Sequence, residues 1–138
     1  MLVLLRHASA GDRQEWDDED RLRPLDERGF AQAERLVEPL IELGVKRVVS
    51  SPYLRCTQTV EPLARRLGKR IRLDAALAEG APLDETLRLL EAAKKPTVFC
   101  THGDVVVNVL DKELKKGAAA VLALDGGAIR RVGKIKAP

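Results

Sequence analysis

The stretch VLLRHASAG, residues 3–11, decides how the rest of the chain is read. Val3, Leu4 and Leu5 make an unbroken apolar run, the pattern of a strand buried on both faces. The run ends abruptly in Arg6 and His7. Ala8, Ser9, Ala10 and Gly11 follow, small residues that let a ligand come close to the backbone. A buried strand that stops in a cation and an imidazole reads as a strand that stops at a binding site.

The same pattern recurs along the chain. Residues 46–50 (KRVVS), 70–73 (RIRL) and 97–101 (TVFCT) read as further strands. Between them lie segments with helical spacing of apolar residues. Residues 26–43 carry Phe30, Ala33, Leu36, Val37, Leu40 and Ile41, with Asp26 as N-cap, Gly44 as stop and a kink expected at Pro39. Ser51 and Pro52 read as N-cap and first residue of a helix reaching Leu67, with Pro62 inside it and Gly68 as its stop. Residues 83–94 and 103–115 read as two more helices, the second closed by Gly117. Residues 119–124 and 128–132 read as strands joined by Asp125-Gly126-Gly127, a hairpin signal. Residues 12–25 and 74–82 are loops. The order β-α-β-α-β-α-β-α-β-β predicts a three-layer α/β sandwich, with a largely parallel central sheet and an antiparallel edge. All of it fits one domain, residues 1–138.

Composition narrows the function. Apolar residues are 45%, enough for a core, but aromatics are only 3%, so that core is aliphatic. The net charge of +3 suits an anionic ligand. The basic tail Arg130, Arg131, Lys134 and Lys136 raises nucleic acid as a partner, but so few aromatics and no recognition element argue against it. Cys56 and Cys100, without metal spacing, suit a reducing compartment. Arg6 interrupts the N-terminal apolar run too early for a signal peptide, and no stretch approaches the ~18 apolar residues of a membrane helix. A soluble cytoplasmic protein without a membrane partner is expected.

The chain has two histidines. His7 follows the first strand and His102 follows TVFCT, so both lie at carboxyl ends of strands, the edge where open α/β sheets bind ligands. Arg55, in the first turn of the helix after the second strand, points back over that edge. Two arginines and two imidazoles make an anion pocket: guanidinium forks match phosphate oxygens, and imidazole can attack phosphorus. Phosphoryl transfer also needs a general acid for the leaving group. Glu79, in the loop AALAEGAP, is the candidate, with Asp104 and Asp12 as alternatives. Ser9, Arg23 and Gly103 are candidate substrate contacts, with Trp16 and Arg21 in the same loop as Arg23. The run Asp17-Asp18-Glu19-Asp20 reads as a solvated loop, not a metal site. No Cys has an Arg six residues on, since those positions hold Pro62 and Val106. The phosphate-loop, dinucleotide and serine-hydrolase motifs are absent.

Three blocks then match a family. LRHA at 5–8, SSPYLRCTQT at 50–59 and THGD at 101–104 resemble, in order, the histidine phosphatase superfamily, or phosphoglycerate-mutase-like fold. RPLDERG at 23–29 resembles a segment of small SixA-type phosphohistidine phosphatases. RPLDERG, RCTQTVEPLA and LAEG also resemble the phosphatase domain fused to some MutT-type Nudix hydrolases, which acts on nucleoside diphosphates or related nucleotides. The resemblance implies a nucleophilic His7 and a phosphohistidine intermediate. It implies phosphoryl oxygens held by Arg6, Arg55 and His102, an acid at Glu79, and no metal or other cofactor. The substrate would be a phosphohistidine protein or a small phosphorylated metabolite or nucleotide. The rival is a non-catalytic phosphate-binding regulatory domain that keeps the pocket. Ala8 stands where many members carry Gly.

Overall fold

The computed structural model describes residues 1–138. Six strands form one sheet: β1 (Leu2–Arg6), β2 (Arg47–Ser50), β3 (Ile71–Leu73), β4 (Thr97–Thr101), β5 (Ala119–Asp125) and β6 (Ala128–Ile135). Their order is β3-β2-β4-β1-β5-β6. The pairs β3·β2, β2·β4 and β4·β1 are parallel, and β5 and β6 add an antiparallel edge. The helices are α1 (Glu27–Arg35), α2 (Val37–Glu42), α3 (Leu54–Leu67), α4 (Leu83–Glu91) and α5 (Gly103–Leu110). The expected sandwich and its order of elements are what the chain forms.

The apolar run at the start of the chain has its explanation in the two core layers. Val3 and Leu5 pack with Val98 and Cys100 against Leu36, Leu40, Val60 and Leu63 of α1 to α3. Leu2 and Leu4 face the other way and pack with Phe99 against Leu90 and Val106 of α4 and α5. Every residue of LVLL is needed inside, because β1 is central and covered on both faces.

Local chemistry sets most boundaries. Asp26 Oδ1 accepts the Gly29 N–H at 2.8 Å, as an N-cap should. Gly44 and Gly68 take positive φ and end their helices. Gly126 and Gly127 both have positive φ, which a tight hairpin matched to strand twist requires.

Several boundaries differ from expectation, and α4 already ends at Glu91, short of the expected 94. The helix expected over 26–43 is two, α1 and α2, joined at Leu36. Pro39 cannot donate to the Arg35 carbonyl and crowds it, so the run of helix is interrupted just before it. Pro62, by contrast, is carried inside α3 without ending it. That helix begins at Leu54, with Tyr53 as N-cap and no side-chain cap bond. Ser51 is therefore not the cap; its hydroxyl is taken at the sheet edge, by a histidine. The helix expected to reach 115 stops at Leu110, because Asp111 adopts a left-handed conformation and its N–H closes on the Val107 carbonyl at 2.8 Å. Gly117 instead ties down the exit of β1, its N–H lying 3.1 Å from the Arg6 carbonyl and 3.0 Å from that of His7. β6 runs to Ile135, three residues beyond the expected end, because β5 pairs with it that far.

Candidate active site

The carboxyl ends of β1, β2 and β4 point to one side of the sheet, where a crevice of about 730 Å³ opens. Arg6, His7, Arg23, Glu79, His102 and Gly103 all line it. Arg55 stands behind the wall, its side chain fully buried.

His7 leaves β1 with its N–H on the Thr101 carbonyl of β4 at 3.0 Å. Its ring is fixed by the backbone, Nδ1 lying 2.7 Å from the Ala8 carbonyl oxygen. A carbonyl only accepts, so the proton sits on Nδ1 and Nε2 keeps a free lone pair. Burial, with the positive surroundings of His102, Arg55 and Arg6, pushes the pKa down from 6.5 to about 3, although the Ala8 bond opposes the shift. His7 is neutral at physiological pH and is built to be a nucleophile or a base.

His102 faces it, the ring centroids 5.6 Å apart. Its Nε2 lies 2.9 Å from Ser51 Oγ. Ser51 Oγ in turn accepts the Tyr53 N–H at 3.2 Å. His102 Nε2 is the one acceptor among the hydrogen bonds of the Ser51 hydroxyl, so Ser51 donates to it and the His102 proton is placed on Nδ1. That Nδ1 is buried and has no partner within the protein. Arg6 Nε and Arg55 Nε are in the same condition. Three buried donors from three strand ends, all unpaired beside one neutral imidazole, need an acceptor with several oxygens. A tetrahedral oxyanion such as a phosphoryl group supplies it.

The remaining donors already have partners. Arg6 gives one terminal N–H to the Leu114 carbonyl at 2.8 Å. Arg6 also lies across Gly103: a Cβ there would sit 3.0 Å from its Cζ. The glycine after His102 is thus a clearance for Arg6, and the Gly103 side offers a ligand backbone only. Arg55 donates to the Asp20 carbonyl at 2.8 Å and its carboxylate at 3.0 Å. The Arg55 guanidinium also stacks 5.0 Å from the Tyr53 ring centroid. Burial works to raise the Asp20 pKa, but its bonds to Arg23 and Arg55 prevail and hold it below the usual carboxylate range. Asp20 was expected in a solvated acidic run. It instead gathers Arg55, Arg23 and Arg13 over the crevice. No spacing in the 12–25 segment marks it; only the excess of buried arginine calling for a carboxylate does.

Glu79 lies at the crevice wall, 2.8 Å from Arg13 and 3.7 Å from Arg55. Asp104 also lines the crevice, and its Oδ2 accepts the Gly80 N–H at 2.8 Å. That bond pins the Glu79 loop to the start of α5. Asp12 lines the outer part. Arg23 is buried and anchors the 12–25 segment through the Gly11 carbonyl and, at 3.0 Å, Asp20. Ser9 does not reach the crevice. Its hydroxyl donates to Asp26 at 2.8 Å and its N–H to Gln32 at 2.8 Å, tying the strand exit to α1. Lys116, unremarked in the sequence, lines the crevice beside Arg6. Its pKa is lowered by burial and by the charges of Arg6, Arg23 and Arg55, against the pull of Asp26. No group of three or more His, Cys, Asp or Glu side chains is placed to hold a metal ion. No helix is long and apolar enough to cross a membrane.

Known proteins share this fold. The sequence signature of the histidine phosphatase superfamily (branch 1) matches residues 2–84. The chain belongs to this superfamily, a class of phosphatases. A relative from Mycolicibacterium smegmatis, described as an 8-oxo-(d)GTP phosphatase, is 35% identical over 146 residues, covering 93% of this chain and 45% of its own length. The chain therefore spans less than half of that curated relative. Among solved structures, the protein histidine phosphatase SixA complexed with tungstate superposes with a TM-score of 0.82 at 20% identity, over 98% of this chain and 96% of the other. A mycobacterial glucosyl-3-phosphoglycerate phosphatase complexed with VO3 gives 0.76 at 18% identity, over 95% and 96%. These two likenesses establish the shared α/β fold.

Proposed function

We propose that the whole chain acts as one histidine phosphatase domain that hydrolyses its substrate through a phosphoryl group carried on His7 Nε2. The observation that carries this reading is the neutral His7, its Nδ1 committed to a carbonyl and its Nε2 free, beside three buried donors that lack partners. In the first step Nε2 attacks phosphorus, the N–P bond forms and the bond to the leaving group breaks. Arg6, Arg55 and His102 Nδ1–H stabilise the charge on the equatorial oxygens. Arg55 already spends its terminal nitrogens on Asp20, so Nε is its first free donor, and full engagement requires Asp20 to move. Glu79 gives a proton to the leaving group. In the second step water attacks the phosphorus of phosphohistidine, Glu79 takes its proton, and His7 leaves as the neutral imidazole. The Arg13 ion pair suits the carboxylate form that the second step needs.

The substrate we assign is a small phosphorylated molecule of nucleotide type. It is supported by the 35% identity to an 8-oxo-(d)GTP phosphatase and by Lys116, a cation beside Arg6 that suits a second phosphate. A phosphohistidine protein is the second reading, favoured by the SixA-like fold. A cytoplasmic setting accords with two reduced, buried cysteines. Phosphate release from a nucleoside diphosphate, a phosphohistidine protein and p-nitrophenyl phosphate, each with wild type and His7→Ala, tests both parts. His7-dependent release is expected, lowered by about 10⁴-fold or more in the variant. Release that survives in His7→Ala would refute the mechanism, and the preferred substrate decides between the two readings.

A further inference from the structure

A second concave site lies at the opposite edge of the sheet, where β2 and β4 begin. Its volume is about 400 Å³, within the size of a small-ligand pocket. Six cations line it: Lys46, Arg47, Lys69, Arg70, Arg72 and Lys94. No carboxylate lines it, and none of the six forms an ion pair. Six uncompensated cations exceed the net charge of the whole chain, +3, so the rest of the molecule is net acidic. This charge is segregated, and the repulsion it brings is offset by nothing within the fold.

The strand register shows how the site arises. Arg47 pairs with Thr97, and Val49 pairs with both Phe99 and Arg72. Side chains alternate along a strand, so Arg47, Val49, Arg72, Thr97 and Phe99 share one face. That face is the one α4 and α5 cover, but α4 ends at Glu91 and packs over β4 and β1. The outer corner formed by β2 and β3 stays open. Parallel strands are normally covered on both faces. Here the uncovered corner has an apolar floor of Leu89, Ala92 and Ala93 over the buried Val49 and Phe99, and a rim of cations supplied by three separate segments.

We propose that this groove binds a nucleoside polyphosphate, its base on the apolar floor and its phosphates among the cations. So much positive charge around so small a space calls for a ligand dense in negative charge. Guanidinium and ammonium groups converging from three segments suit a phosphate chain. No aromatic side chain is exposed for stacking there, since Phe99 is 1% exposed, which disfavours single-stranded nucleic acid. The site is separate from the crevice and independent of the phosphatase reading.

Calorimetry with the non-hydrolysable β,γ-methylene analogue of ATP tests it. The wild type should bind at a salt-sensitive site that survives Arg6→Ala, which impairs only the crevice. Arg47→Glu with Arg72→Glu should weaken that site at least tenfold, leaving p-nitrophenyl phosphate turnover within twofold of wild type. Inorganic tripolyphosphate should bind there at least tenfold more weakly than the analogue. In the wild-type protein the analogue should shift the amide resonances of Arg47, Lys69 and Arg72, which guards against a variant that fails to fold. Unchanged affinity in the double variant, or shifts confined to residues of the crevice, would overturn the site. Equal affinity for analogue and tripolyphosphate would overturn the nucleoside assignment.

Discussion

Ser51 shows how a single residue changes meaning between sequence and structure. Next to Pro52 it has the local chemistry of an N-cap, and nothing nearby in sequence says otherwise. His102, 51 positions away, takes the hydroxyl instead. That contact sets which nitrogen of His102 carries a proton, so in the proposed site Ser51 would position His102 toward a phosphate ligand. Ser51→Ala should keep the fold and lower kcat about 10- to 10²-fold, as loss of a partner that orients a ligating histidine does. The check is a nitrogen NMR spectrum of His102: Nδ1–H in the wild type, a tautomer mixture in the variant. An unchanged spectrum with unchanged kcat would remove Ser51 from the account. Arg6, His7, Arg55 and His102 were legible because each sits at or just beyond the end of an apolar run. Asp20 was not, because its partners are spread over three separate positions, Arg13, Arg23 and Arg55, and no local pattern links them.

Among the elements, the junction of α1 with the exit of β1 shapes the crevice floor. A Cβ on Gly29 would lie 1.8 Å from the Ser9 carbonyl oxygen. The Asp26 N–H bonds that same carbonyl at 3.2 Å, and Asp26 caps the helix. The segment RPLDERG thus holds a clamp: Asp26 and Gly29 let α1 close on the backbone that follows His7. Gly29→Ala should destabilise by about 2–3 kcal/mol, as overpacking does, and should lower kcat/KM by displacing residues 8–11. Denaturant unfolding and steady-state kinetics measure the two effects; a variant as stable and active as wild type would contradict the clamp. Element types and order were legible here because their apolar periods are long and clean. Boundaries were less so. Asp111 ends α5 by adopting a left-handed turn, which few residues signal. Pro39 and Pro62 look alike in sequence, yet the helix is interrupted only near the first.

For the whole molecule, the burial that keeps His7 neutral also couples stability to pH. The His7 pKa falls from 6.5 to about 3 on folding. Between these values the unfolded chain holds a proton that the native state does not, so this group lowers stability as pH falls through that window. Above about pH 6.5 both states are neutral and its contribution is flat. Urea unfolding between about pH 7 and pH 4 should therefore show a steeper loss in wild type than in His7→Gln. Parallel curves would mean that His7 is not held neutral by the fold.

The most direct measurement of the central claim is a rapid quench into base during turnover of p-nitrophenyl phosphate, followed by peptide mass analysis of wild type, His7→Ala and Glu79→Gln. The account predicts one phosphoryl group on the peptide containing His7 in wild type, more of it in Glu79→Gln, where water attack is slowed, and none in His7→Ala. Turnover in wild type with no phosphohistidine at any quench time, or a phosphoryl group on any other residue, would contradict it.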